Sequence, residues 1–456
     1  MKRQAAKLRD DALRIWHAGV AAVQPSTLIP DYVAVEGRTL LLGNQEFDLG
    51  SINNIAVVGA GKAGASLAVA LEKALGDQVL HEKNVAGWVN IPDETLLPAK
   101  SIHLHQARPT GVNEPREAGA FGTERILEIV ADLGPDDLCI CLLTGGGSAL
   151  LPAPIQGLSL AEKCELIREI SASGGNIHQL NAVRRELSRV KGGGLARACR
   201  AGQLVTLILS DVLGDDLETI ASGPTVLRKS TPDLAIQVLH DLGVQDQPAA
   251  QKAILLLEKK EKLAPSSDVT HQCSVSNIVI GNNATAVDGA GCEAERLGYS
   301  HAMISASESE GSAEQVAAHV ATMALSMRGQ EGPDCLISGG EPTVKLCPSS
   351  ERGLGGRNQQ LALAMLDAIA DWRGLSLVAG GTDGEDGPTD AAGAIVDEEI
   401  AERANKLGLE PAEFLRRNDA YHFFEAVGGL LKTGPTQTNV CDLRVVTVAR
   451  QGTSGC

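Results

Sequence analysis

A chain of 456 residues is longer than one hydrophobic core sustains, since single cores stop growing near roughly 250–300 residues, so two domains are expected. Hydrophobic residues at 43% against 21% charged exclude a disordered chain, and no apolar run approaches the roughly 18 residues of a membrane helix. A net charge of −17 repels nucleic acid and anionic lipid and argues against both as partners, so any anion site must gather Lys, Arg and backbone N–H groups locally.

The opening MKRQAAKLRDDALRIWHAG interleaves Asp with Lys and Arg and has no apolar h-region. It reads as an amphipathic first helix, not a secretion signal. Strands are then predicted at Ile55–Val58, Val85–Val89, Leu138–Leu143, Leu204–Leu209, Ile278–Ile280, Cys335–Ile337, Leu375–Val378 and Leu443–Val448, most of them continuous apolar runs of the kind covered on both faces. Helical patterns lie between them at Lys62–Leu75, Leu160–Ile170, Ala284–Leu297, Ala313–Met327 and Asn358–Ala370. This alternation predicts an α/β fold with largely parallel sheets. A charged helix running into a Pro/Ser-rich stretch over 245–272 marks a boundary, giving domains at about 1–250 and 270–450. The last strand can join either sheet. Aromatics are only 2%, which leaves the core to Ala, Val, Leu and Ile. The ten cysteines lack metal-ligand spacing, and Cys139 and Cys141 fall inside the apolar run LCICLL. Thiols placed so act as small core residues, which implies a reducing, cytoplasmic compartment.

Ligands of parallel α/β sheets sit at strand carboxyl ends, and four glycine-rich segments fall there. In IAVVGAGKAGASLA, Gly59, Gly61 and Gly64 follow a strand and open a helix, the context of a dinucleotide fingerprint. The acid that should follow about 20 residues on is missing, with Asp93 too far along, and Lys62 stands inside the loop. Phosphate binding, a dinucleotide and a plain tight turn all remain open here. In LCICLLTGGGSALLPAP, Gly145, Gly146 and Gly147 with Ser148 form either an anion nest or a flexible connection. The third segment carries Arg185, Lys191 and a triple glycine, then the strand LVTLILS delivers Asp211, with Asp215 and Asp216 in what reads as a solvated turn. A strand-end carboxylate beside phosphate loops suits Mg²⁺. The fourth group places Gly339, Gly340 and Glu341 after one strand, Arg357 at a helix start, and Asp383, Asp386 and Asp390 among glycines after another strand. Arg357 fits an anion clamp, and the aspartates fit metal or hydroxyl binding.

Taken in order, VVGAGKAG, LLTGGGSALLPAP, NAVRRELSRVKGGGLA, LILSDVLGDDLETIASGPT, ISGGEPTV, GGRNQQLALA, GGTDGEDGPTDAAGA and KTGPTQTNVCDLRV resemble the D-glycerate 2-kinase family, whose second half is the MOFRL domain. One departure is ARPTGVNEP, where that family has a His-Pro segment. The resemblance implies ATP- and Mg²⁺-dependent phosphorylation of the 2-hydroxyl of D-glycerate, giving 2-phosphoglycerate. It also implies a Rossmann-like parallel-sheet first domain, a smaller α/β second domain, and an active site in the cleft. Lys62 and Arg357 match its central positions and would neutralise the transferred phosphoryl group or hold the substrate carboxylate. Asp211 would be a magnesium ligand or the proton acceptor, with Asp383 a further metal ligand. Gly59, Gly61, Gly145, Gly146, Gly147, Ser148, Lys191, Gly339, Gly340 and Glu341 would surround the nucleotide. Partners are then small molecules, with a homo-oligomer left open. Two other readings stand behind it, an NAD(P)H-dependent hydroxypyruvate reductase and a non-catalytic phosphosugar-binding regulator.

Overall fold

The computed structural model describes residues 5–109, 114–262 and 273–449. Part of ARPTGVNEP and the Pro/Ser-rich end of the expected domain boundary lie outside the described residues. The chain divides into two compact units. One holds Leu28–Ser210 and Asp216–Ile280, the other the residues up to Thr27, Asp211–Asp215 and those from Gly281 on.

The first unit is built on a six-stranded sheet. Its order is Ile102–Arg108, Ala86–Pro92, Ile55–Ala60, Leu138–Thr144, Gln203–Leu209 and Ser274–Gly281. The pairings among the first five strands are parallel. Every residue of IAVVGA and LCICLLT is buried, as expected for strands roofed by helices on both faces. Three short antiparallel strands, Val33–Glu36, Thr39–Leu42 and Gln45–Asp48, form a separate small sheet. A helical layer of Leu160–Ala172, Ile177–Glu186, Pro232–Asp241 and Pro248–Lys262 closes over Leu166, Ile170, Val183 and Leu239. Two of these helices start with reciprocal caps, Ser159 with Glu162 and Asn176 with Gln179, which satisfy N–H groups that a helix start otherwise leaves unpaired.

The other unit carries a mixed sheet in the order His301–Ser305, Cys335–Gly340, Asp442–Val448, Leu375–Gly381, Gly393–Asp397 and Leu430–Leu431. One pair is parallel and four are antiparallel, so the expectation of largely parallel sheets holds only for the first unit. The last strand lies centrally between Cys335–Gly340 and Leu375–Gly381, antiparallel to both. Its first residue, Asp442, is therefore level with Gly340 and Gly381 at their carboxyl ends.

Both expected domain limits shift. The Ala5–Ala22 helix belongs with the C-terminal residues because its apolar stripe is buried there. Ile15 and Trp16 pack with Val287, Leu443 and Val445, and the Trp16 indole donates to the Leu443 carbonyl at 3.1 Å. The Ser274–Gly281 strand, expected to open the second domain, instead completes the first sheet as its edge.

Candidate functional site

The first sheet changes direction between Ile55–Ala60 and Leu138–Thr144, since later strands add on one flank and then on the other. Such a switch point opens a crevice at the strand ends, and both glycine loops of the first unit emerge there. Gly61 has φ +150°, and a side chain at this position would run into Thr144. The loop amides are spent internally. Gly61 N–H donates to Asn90 O at 3.2 Å, Lys62 N–H to Gly145 O at 2.8 Å and Ala63 N–H to the Thr144 hydroxyl at 3.0 Å. These are the groups that cradle a pyrophosphate in a dinucleotide loop. Gly59 and Gly61 thus serve close packing against Leu142 and Thr144 and do not offer a nest. What the loop presents is the half-buried Lys62 side chain.

Gly146, at φ +76°, lets two cations approach the second loop. A Cβ there would lie 3.2 Å from an Arg108 guanidinium nitrogen and 3.4 Å from Lys62 Cγ. Arg108 ends the Ile102–Arg108 strand and is 3% exposed. Sequence reasoning missed it, although a basic residue closing a strand just before Pro109 was a usable signal. Beyond the glycines, the Lys191 ammonium donates to the Ser148 carbonyl at 2.7 Å and also to its hydroxyl. That hydroxyl lies 3.1 Å from the Ser222 hydroxyl. Burial drives the Lys191 pKa well below its usual value, with Lys163 and Arg184 pushing the same way. Gly192 and Gly193 bond the carbonyls of Ser222 and Gly223, beside Ala221 and Ser222, which hold φ of +49° and +63°. Non-glycine residues in that region cost on the order of 1–3 kcal/mol each and concentrate at functional sites. Arg185, by contrast, is neutralised by Glu218 at 2.9 Å.

In the second unit a single short segment organises the charges. Asp442 is fully buried and holds Arg357 bidentately, with Nε donating at 2.7 Å and Nη2 at 3.0 Å. Glu341 completes the clamp at 3.0 Å from Nη1. Burial works against the Arg357 charge, but Asp442 and Glu341 outweigh it, and the guanidinium pKa rises. Three residues earlier, Asn439 donates its side-chain N–H to the Asp211 carboxylate at 3.2 Å, and the Cys441 thiol donates to the Asp211 carbonyl at 2.9 Å. The segment Asn439–Asp442 therefore ties Asp211 through one end and Arg357 through the other. Asp442 was not singled out from sequence, because nothing local marks the first residue of a last strand as a partner for a helix start 85 positions away.

The other expected residues of this unit divide in role. Gly339 and Gly340 lie inside their strand, where Asn283 and Glu310 fill the space of the missing side chains, so they make room for packing and are not a phosphate loop. Glu341 is the ion partner of Arg357. Asp383 is half-buried and accepts the Glu385 N–H at 3.0 Å in its own turn. Asp386 caps the Arg357–Ala368 helix, accepting from the N–H groups of Asn358 at 3.0 Å and Gln359 at 2.8 Å. Burial raises its pKa to about 7, the two N–H groups pull it down and Asp442 pushes it up. Asp390 is exposed and pairs with Lys432 at 2.8 Å. Asp215 is not simply solvated, since it accepts from Asn282 at 2.5 Å, whereas Asp216 is exposed. Among the described residues, no three His, Cys, Asp or Glu side chains converge to hold a metal by themselves.

Residues 11–256 match the family described as a domain of unknown function (DUF4147), and residues 334–442 match the MOFRL family. The chain is 35% identical to the glycerate kinase of Homo sapiens over 96% of this chain and 93% of that one. It is 36% identical to the D-glycerate 2-kinase of Thermotoga maritima over 86% of this chain and 90% of that one. A putative hydroxypyruvate reductase of Agrobacterium vitis is also 36% identical, over 86% and 98%. The crystal structure of the Thermotoga maritima glycerate kinase matches with a TM-score of 0.79 and 32% identity, covering 97% of this chain and all of that one.

Proposed function

The chain belongs to the glycerate kinase family, and from that membership we propose that it transfers the terminal phosphoryl group of ATP to the 2-hydroxyl of D-glycerate. The observation that carries this reading is the Asn439–Asp442 segment, which joins a carboxylate, Asp211, to a cation with a locked charge, Arg357. Phosphoryl transfer asks little of a protein beyond position and charge. Arg357, its fork oriented by Asp442, neutralises charge on the transferred group or holds the glycerate carboxylate. Lys62, beside Gly146, supplies a second cation. The substrate oxygen forms its bond to phosphorus as the bond to the departing ADP breaks, and the hydroxyl proton goes to a carboxylate, for which Asp211 is the candidate.

Asp211 and Asp383 are oxygen donors in a unit without an all-protein metal cage among its described residues. This fits Mg²⁺, which takes one or two carboxylates and fills its remaining positions with phosphate oxygens and water. When bound, the ion would screen the phosphate charges. Nine described cysteines are free, in keeping with a reducing, cytoplasmic setting. A reductase is less well supported. The strand runs to Pro92, so Asp93 does follow its end directly, but the amides of the Gly61–Ala63 turn are already bonded within the protein.

The test is purified protein with ATP, MgCl₂ and D-glycerate, products resolved as 2- or 3-phosphoglycerate, with NADH plus hydroxypyruvate as a parallel assay. Accumulating 2-phosphoglycerate is the expected result. Steady NADH oxidation with no phosphoglycerate overturns the proposal.

A further inference from the structure

Behind the Ser148 loop lies a cavity of about 270 Å³ inside the first unit. Four cations line it: Lys163 and Arg168 from the Leu160–Ala172 helix, Arg184 from Ile177–Glu186, and Lys191. Among the described residues, the one carboxylate on its lining is Glu114, at an exposed position. Lys163 and Lys191 are only 6% and 3% exposed, Arg184 is half-buried and Arg168 reaches solvent. Among the described residues, none of the four forms an ion pair with a carboxylate. This is unusual in a chain of net charge −17, because an uncompensated buried ammonium costs several kcal/mol.

A purely structural account covers part of this. Lys163 donates to the carbonyls of Leu187 at 2.9 Å and Arg184 at 3.4 Å, closing a helix end, and Lys191 secures Ser148. Those roles need donors, not four gathered charges, and they assign nothing to Arg168 or Arg184. We infer that the cavity is a binding site for a small phosphate-bearing anion, held by Lys163, Arg184 and Lys191 with Arg168 at its mouth. Its volume lies below the roughly 300–1,000 Å³ of pockets for drug-sized ligands, which suits a phosphorylated small acid or a phosphate tail better than a whole nucleotide. The remaining wall is largely aliphatic and would pack against a short carbon chain. The inference rests on the phosphate-binding reading above only through Ser148 and Lys191. Lys163, Arg168 and Arg184 are additional to it.

The site should take up a proton as it fills. Burial brings Lys163 down to about 7, helped by Arg184 and opposed by Cys164. An arriving anion favours the charged ammonium. The groups facing Lys163 are Arg168, Arg184, Lys191, Glu114 and Cys164, and burial raises the pKa of the Cys164 thiol and keeps it neutral. Affinity must then fall as pH rises through the Lys163 pKa.

Calorimetric titration of the full chain with inorganic phosphate tests this without any turnover, so a failed glycerate assay leaves it untouched and the reverse holds too. Saturable binding is expected, with proton uptake in buffers of different ionisation enthalpy and weaker binding above the Lys163 pKa. Arg168→Gln and Arg184→Gln should each weaken binding on the order of tenfold, the worth of one charge-assisted contact. Neither should alter the melting temperature greatly, which separates them from Lys163→Met, where a helix end is also lost. Competition between phosphate and ADP would identify the nucleotide tail as the natural source. Simultaneous binding, with 2-phosphoglycerate displacing phosphate, would identify a separate phosphorylated acid. Absence of saturable binding, or binding indifferent to pH and to both arginine variants, overturns the inference.

Discussion

The two units handle buried positive charge in opposite ways. In the second, Arg357 is locked between Asp442 and Glu341 and its charge is reinforced. In the first, Lys163 and Lys191 are buried and Arg184 half-buried, none paired with a carboxylate among the described residues, and the pKa of each is lowered, by burial above all. A paired cation is a fixed electrostatic element, present before any substrate arrives. An unpaired buried lysine is a conditional one, whose charge is favoured by an incoming anion. The backbone is alike in both regions. The Gly61–Ala63 amides are engaged by neighbouring carbonyl and hydroxyl oxygens, and the Asn358 and Gln359 amides by Asp386.

The sharpest way to break this contrast is to remove Arg357. Arg357→Met strands Asp442, which is fully buried, and should cost about 3–5 kcal/mol of stability in urea titration. Asp442→Asn should cost less, because Arg357 is about one-third exposed and can turn to water. Equal costs would mean that the pair is not asymmetric in burial as described.

In turnover, Lys62→Met and Arg357→Met should each lose about 2.7–4 kcal/mol of transition-state stabilisation, the worth of one preorganised charge donor. If both serve one reacting group, the double variant should be little worse than the worse single. Fully additive losses would show separate tasks for Lys62 and Arg357. Asp211→Asn should keep its fold and lose at least roughly 10²-fold in turnover. Near-normal rates at saturating magnesium would reduce Asp211 to a turn residue.

Asp386 gives a pH signature. Its folded pKa of about 7 lies above the ordinary carboxylate value of 3.8, so the folded state holds its proton longer than the unfolded state. Its contribution to stability is therefore most favourable below the unfolded value and declines as pH rises through the folded one. Urea midpoints should fall across that window, and Asp386→Asn should flatten the slope. An unchanged slope would show that the two backbone N–H groups keep Asp386 ionised. The smallest effect is expected at Ser159→Ala, about 1 kcal/mol for a lost helix cap, read in the same titration.

What could be read from the chain was whatever depends on neighbours in sequence. IAVV and LCICLL were legible as buried strands because every residue is apolar, and the glycines after them because a strand end must turn. The placement of Lys62 and Asp211 after strand ends and of Arg357 at a helix start followed from the same punctuation. Only the tertiary structure decided which acceptors had already taken the loop amides, because Asn90, Thr144 and Asp386 come from distant segments. It also moved the first helix to the far unit, since a stripe such as Ile15, Trp16 and Val20 specifies that it must be buried but not against what. The last strand was recognisable by composition, yet its central antiparallel place, and with it the pairing of Asp442 with Arg357, depends on which sheet edge is open when it arrives. Charge partners and sheet order are non-local. Periodicity, turns and caps are local, and for this protein they alone carried the α/β architecture.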